Sequence, residues 1–237
     1  MVFSSRPLNW PVSEPLFSRE DVDEAMSSLV SELDAAGFTG AISLVGGAAV
    51  ALQVAREALT GDIDAQHSVS PGFAAAVVRV GDARGWRPTW LNNAVKMYVS
   101  HYDTEADWEV RSEGKGVVVR VARTRLLLAM KLYAGRGIRD EADIDLLLDA
   151  CGVTSVGEAT EIFEHFYPNE EMARKSLEQL RGRFGTPSAG GQKRNPPSGA
   201  RLRWWLPFDP FDPSGAHGQD SCGSRGGARC DRRVSPG

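Results

Sequence analysis

The chain has 237 residues, 42% of them apolar, a formal net charge of −4 and three cysteines. That composition supports one full-sized core. It excludes a disulfide framework and a CxxC zinc site, because Cys151, Cys222 and Cys230 are odd in number and share no such spacing. It also excludes broad nucleic-acid affinity, since residues 1–185 carry 19 basic against 27 acidic side chains and basic groups must act locally. With no apolar run of membrane-spanning or signal length, the expectation is a cytoplasmic protein with no membrane partner.

In chain order, residues 1–17 read as an irregular entry. Ser18 is a candidate N-cap with Asp21 three residues on, and Val22, Met26, Leu29 and Leu33 recur at helical spacing until Gly37. "AISLV" (41–45) predicts a buried strand, Gly46 and Gly47 its exit turn, "AAVALQVARE" a helix, and "DIDA" after Thr60-Gly61 a second short strand. Pro71 suits the first position of a helix that stops before Gly85. "VKMYVSHY" and "WEVRSEGKGVVVRVA" predict further strands, the latter turning at Gly114–Gly116. From Arg123 onward four helical segments follow, ending near Gly185. The predicted class is α/β (α+β): a small mixed sheet with flanking helices at 18–122, then a helical part of the same domain at 123–185. Residues 186–237, rich in Gly, Pro, Ser and Arg, predict a disordered tail.

Two features of this layout carry chemistry. A turn without Cβ atoms at a helix start lets backbone N–H groups approach phosphates, which suits Gly46 and Gly47. Alternate side chains of a strand share a face, so Asp62 and Asp64 point the same way while Ile63 turns into the core. Paired carboxylates on a rigid element are what nucleotide transfer requires to hold metal at the phosphates. Taken singly, a Gly-Gly turn or a solvated Asp-x-Asp is ordinary; the combination at this spacing is the signal.

With these motifs the sequence resembles the DNA polymerase β-like nucleotidyltransferases, and within them the AbiEii-type toxin group. The resemblance covers about Ser18 to Pro168. It rests on Gly46, Gly47, Asp62 and Asp64 with the intervening Arg56 and Thr60, on "WLNNAV" (90–95), and on "LLAMKLYAGRGIRDEADIDLLL" (127–148). It implies a polymerase β-like fold and a Mg2+-dependent enzyme that transfers nucleotides from a nucleoside triphosphate to an acceptor such as tRNA. The setting it implies is a toxin–antitoxin or phage-defence pair with a cognate antitoxin protein. Asp62 and Asp64 would then be catalytic metal ligands. Lys131 and Asp140 or Asp143 would contact the triphosphate and support catalysis, and Asn92 and Asn93 would line the site. Two departures stand: the family's usual serine is Gly47 here, and the third carboxylate of many relatives has no clear counterpart. Asp107 and Glu109 are its candidates, with a polar strand face as the alternative.

Lys131 can also be read without the resemblance. It is the only charge between Leu126 and Ala134, so a buried helix must supply an anion to it, either an internal acid or a bound triphosphate. In the next helix a wheel at about 100° per residue places Asp140 and Asp143 among Ile144, Leu147, Ala150 and Cys151, with Glu141, Asp145 and Asp149 on the other side. Acids on an apolar face are rarely buried unless paired, so Asp140 and Asp143 should meet Lys131, Arg136, Arg139 or the surroundings of a bound nucleotide, with helix capping as the alternative for Asp140. His67, His101, His165 and His217 have no ligand or triad spacing and read as structural or exposed.

Overall fold

The computed structural model describes residues 16–54, 56, 59–68 and 70–185. The predicted tail at 186–237, with Cys222, Cys230 and His217, lies outside the described residues. The fold is a mixed α/β arrangement of a five-stranded sheet and, among the described residues, seven α-helices. None of these helices is long and apolar enough to cross a membrane.

Helix α1 (Arg19–Ala35) opens on the Ser18–Asp21 capping box, each side chain meeting the other's backbone N–H at 3.2 and 2.8 Å. It leads to β1 (Gly40–Val45), whose last four residues are buried. Helix α2 (Gly46–Gln53) follows without an intervening turn, so the two glycines are its first residues rather than a turn before it. The helix also stops before Val54, short of the predicted end at Glu57. Strand β2 (Ile63–His67) runs antiparallel to β1, with Val45 opposite Asp64. Helix α3 (Pro71–Arg84) has Ser70 as N-cap and left-handed Gly85 as its stop. Strand β3 is only Leu91–Asn92, parallel to β2 with Asn92 opposite Asp64.

The expected strand "VKMYVSHY" is absent: Ala94–Met97 forms a 3₁₀ turn instead. Val95 and Val99 are buried while Met97 is 75% exposed, a four-residue burial spacing that belongs to a helical turn. The β4 (Trp108–Glu113) and β5 (Val117–Ala122) hairpin forms as predicted, with a register shift between Val110 and Ser112. Strand β5 pairs in parallel with β1, giving the sheet order β3-β2-β1-β5-β4. Asp34 of α1 reaches into the hairpin turn and accepts from the N–H groups of Lys115 (2.9 Å) and Gly116 (3.2 Å).

Helices α4 (Thr124–Ala134), α5 (Ile138–Ala150), α6 (Val156–Phe166) and α7 (Arg174–Phe184) make the second half. One apolar cluster runs from Phe17 to Leu180, so both halves share a core. Phe17, assigned to the irregular entry, belongs to that core: it is 1% exposed, bridges Thr60 and packs edge-on to Trp86 at 4.8 Å. Because α4 packs against both α2 and α5, its lysine is delivered to the ends of β1 and β2.

Candidate functional site

The site lies where β1 gives way to α2, beside the start of β2. Gly46 is left-handed (φ +66°), and a Cβ there would stand 2.4 Å from Asp64 Oδ2. At Gly47 a Cβ would stand 3.0 Å from Thr60 Oγ1 and 3.2 Å from Arg56 Nη1. The left-handed backbone and the close approach of Asp64 favour glycine at 46, while Thr60 and Arg56 pack tightly over Gly47. No side chain caps α2, so the backbone N–H groups of its first turn have no side-chain acceptor.

Asp62 and Asp64 both line a polar cleft of about 360 Å³. Thr60 Oγ1 donates to the Asp62 carbonyl at 3.0 Å, fixing the entry to β2. Asn92 Nδ2 donates to Asp62 Oδ2 at 2.9 Å from the neighbouring strand. Burial, and then the adjacent Asp62 charge, push the Asp64 carboxyl above its usual range, while Asn92, Arg136 and Lys131 pull it back. Asn93, the other amide of "WLNNAV", turns away and donates to the His67 carbonyl at 3.3 Å. Adjacent residues face opposite sides, so the strand register brings Asn92 to the acids instead of Asn93.

Lys131, Asp140, Asp143 and Arg56 also line this cleft, bound to one another. Lys131 Nζ lies 2.6 Å from Asp140 Oδ1 and 2.8 Å from Asp143 Oδ2, and Arg56 Nε lies 2.7 Å from Asp143 Oδ1. Arg56 Nη1 further donates to the Gly47 carbonyl at 3.2 Å. Asp140 and Asp143 are 2% and 3% exposed. Two cations and two carboxylates thus form a neutral quartet that ties the loop before β2 to α4 and α5. Lys131 meets the internal acids that its helix calls for. Asp140 Oδ2 is buried without a hydrogen-bond partner among the described residues. The wheel's acids separate as expected, with Glu141 and Asp149 exposed and Asp145 half-buried, although Ala150 on the inner set is exposed.

The two candidate third acids do not line the cleft. Asp107 caps Thr104 at 2.8 Å, and Glu109 accepts from Gln53 at 3.2 Å. Asn92 instead stands on the strand next to the pair. Among the described residues there is no cluster of three or more metal-ligating side chains. The donor set that is present, two neighbouring carboxylates on a polar cleft, suits Mg2+, which takes one or two carboxylates and completes its shell with water and substrate phosphates. A small apolar recess of about 40 Å³ adjoins the cleft, walled by Val95, Tyr98, Leu127 and Met130.

No family model, curated protein or solved structure matches the chain.

Proposed function

We propose that the protein is a Mg2+-dependent nucleotidyltransferase on a polymerase β-like fold, moving a nucleotide from a nucleoside triphosphate to an acceptor. The observation that carries the reading is the pairing of Asp62 and Asp64 on one cleft against the uncapped first turn of α2. Mg2+ held by the two carboxylates would neutralise charge on the phosphate oxygens as the bond to the leaving pyrophosphate breaks. The chain's own residues supply the positioning. Asn92 and Thr60 fix Asp62 through its side chain and its carbonyl. The first turn of α2, which no side chain caps, would offer its backbone N–H groups to an anionic group. The likeness to AbiEii-type toxins extends the proposal to a tRNA acceptor and an antitoxin partner in a toxin–antitoxin or phage-defence system.

Asp62→Ala and Asp64→Ala should each abolish Mg2+-dependent transfer of labelled nucleotide while the melting temperature changes little, because acids at a strand end add little packing. Full transfer by both variants would refute the assignment.

A second reading is a nucleotide- or partner-binding module that has lost turnover. It is favoured by the amide of Asn92 beside the acid pair and by the commitment of Lys131 to Asp140 and Asp143. Nucleotide binding by the unaltered protein, without transfer to any RNA or protein acceptor, would select it.

A further inference from the structure

Charge accounting in the cleft separates cations that are already spent from those that are not. Within the quartet, Arg56 and Lys131 are matched by Asp140 and Asp143 at 2.6–2.8 Å. Arg136 and Arg139 line the same cleft, and among the described residues neither makes an ion pair. Arg136 lies 5.9 Å from the centre of the Tyr98 ring, in the cleft that Asp64 also lines. A guanidinium resting over an aromatic face keeps its hydrogen-bond donors for another acceptor.

The turn that carries Arg136 is firmly seated. Its flanking glycines, Gly135 (φ +56°) and Gly137 (φ +64°), are both left-handed. A Cβ on Gly135 would come within 2.2 Å of the Ala173 Cβ, at the start of α7. One residue past Ile138, Arg139 sits in the first turn of α5, whose Asp140 is locked to Lys131. The backbone under both arginines is therefore held by packing on α7 and by the quartet, which is the preorganisation an anion site needs.

We infer that Arg136 and Arg139 form the polyphosphate-binding wall of the cleft, and that Lys131 is a structural cation that holds α5 in place for them. The ligand class is a polyphosphate chain carrying a divalent cation: guanidiniums fork onto phosphate oxygens, and the metal faces Asp62 and Asp64. The assignment rests on the nucleotidyltransferase reading for the nucleoside end of the ligand, but not for the phosphate end.

The test is calorimetric titration of the full chain with inorganic tripolyphosphate and Mg2+. Arg136→Gln/Arg139→Gln should weaken binding at least about tenfold with an unchanged melting temperature. Arg174→Gln, which alters a 91% exposed arginine on α7, should leave binding intact. Lys131→Met should lower the melting temperature by leaving buried Asp140 without a cation and Asp143 with Arg56 alone. Wild-type affinity in the double variant, an equal loss in Arg174→Gln, or no binding by the unaltered protein would each overturn the inference. If the arginine pair governs tripolyphosphate binding but no nucleotide is transferred, the inference stands and the transferase reading falls. Transfer that depends on Asp62 and Asp64 but keeps its wild-type KM in the double variant leaves the transferase reading and removes the inference.

Discussion

Asp143 joins more charges than any other carboxylate of the site, since Arg56 and Lys131 both bind it while it is 3% exposed. Neutralising it as Asp143→Asn leaves a buried cation short of its partner, which typically costs on the order of 3 kcal/mol. Asp145 faces the other way and meets Arg183 at 2.7 Å, a half-exposed pair worth less than about 1 kcal/mol. Urea unfolding of Asp143→Asn and Asp145→Asn should show that contrast, and indistinguishable midpoints would remove the quartet from any account of stability. The helical wheel separated these acids correctly because side-chain direction on a helix is set by local geometry. Of the cations expected beside them, Lys131 meets both acids, and among the described residues Arg136 and Arg139 pair with neither. Arg56 was not foreseen, because it lies in a distant loop that the packing of α2 on α4 and α5 brings to Asp143. The choice between Asn92 and Asn93 was equally hidden, because it depends on how two residues of β3 fall into register with β2.

The same division between local and distant information holds for whole elements. Helices with an N-cap and a glycine stop, α1 and α3 above all, were legible to within about two residues because caps are written in the sequence beside them. The stretch "VKMYV" alternates like a strand, and only burial of Val95 with Val99 exposes its true turn. A two-residue strand such as β3 is too short to carry any period. The β4–β5 hairpin was legible from Gly114 and Gly116, but its anchoring was not. A Cβ on Gly114 would stand 2.3 Å from Asp34 Oδ2, so α1 and the turn fit closely around that carboxylate. Asp34→Ala deprives two backbone N–H groups of a charged acceptor and should cost roughly 2 kcal/mol. Thermal melts of this variant read the loss directly, and an unchanged melting temperature would show that water replaces the carboxylate without penalty.

Across the whole molecule, stability should vary with pH through His67. Its ring stacks on Phe73 at 4.2 Å, and burial lowers its pKa, only partly offset by the Ser68 carbonyl. The unfolded chain, with an ordinary histidine pKa of about 6.5, therefore binds the proton first. This contribution is present in full above that value and is lost as pH falls through the lower folded value. Unfolding free energies measured from pH 7.5 to 5 should fall less steeply for His67→Gln than for the unaltered chain; parallel curves would place the pH sensitivity elsewhere. The sheet's two margins bear on the behaviour of many copies together. One margin offers only the two residues of β3, and the other, β4, breaks its register between Val110 and Ser112 and carries Arg111 paired to Asp23 at 2.7 Å. A free strand templates growth only where it presents a long, regular row of donors and acceptors, and neither margin does. Among the described residues, crowded folded molecules thus meet no long, regular seam along which one sheet can extend into the next.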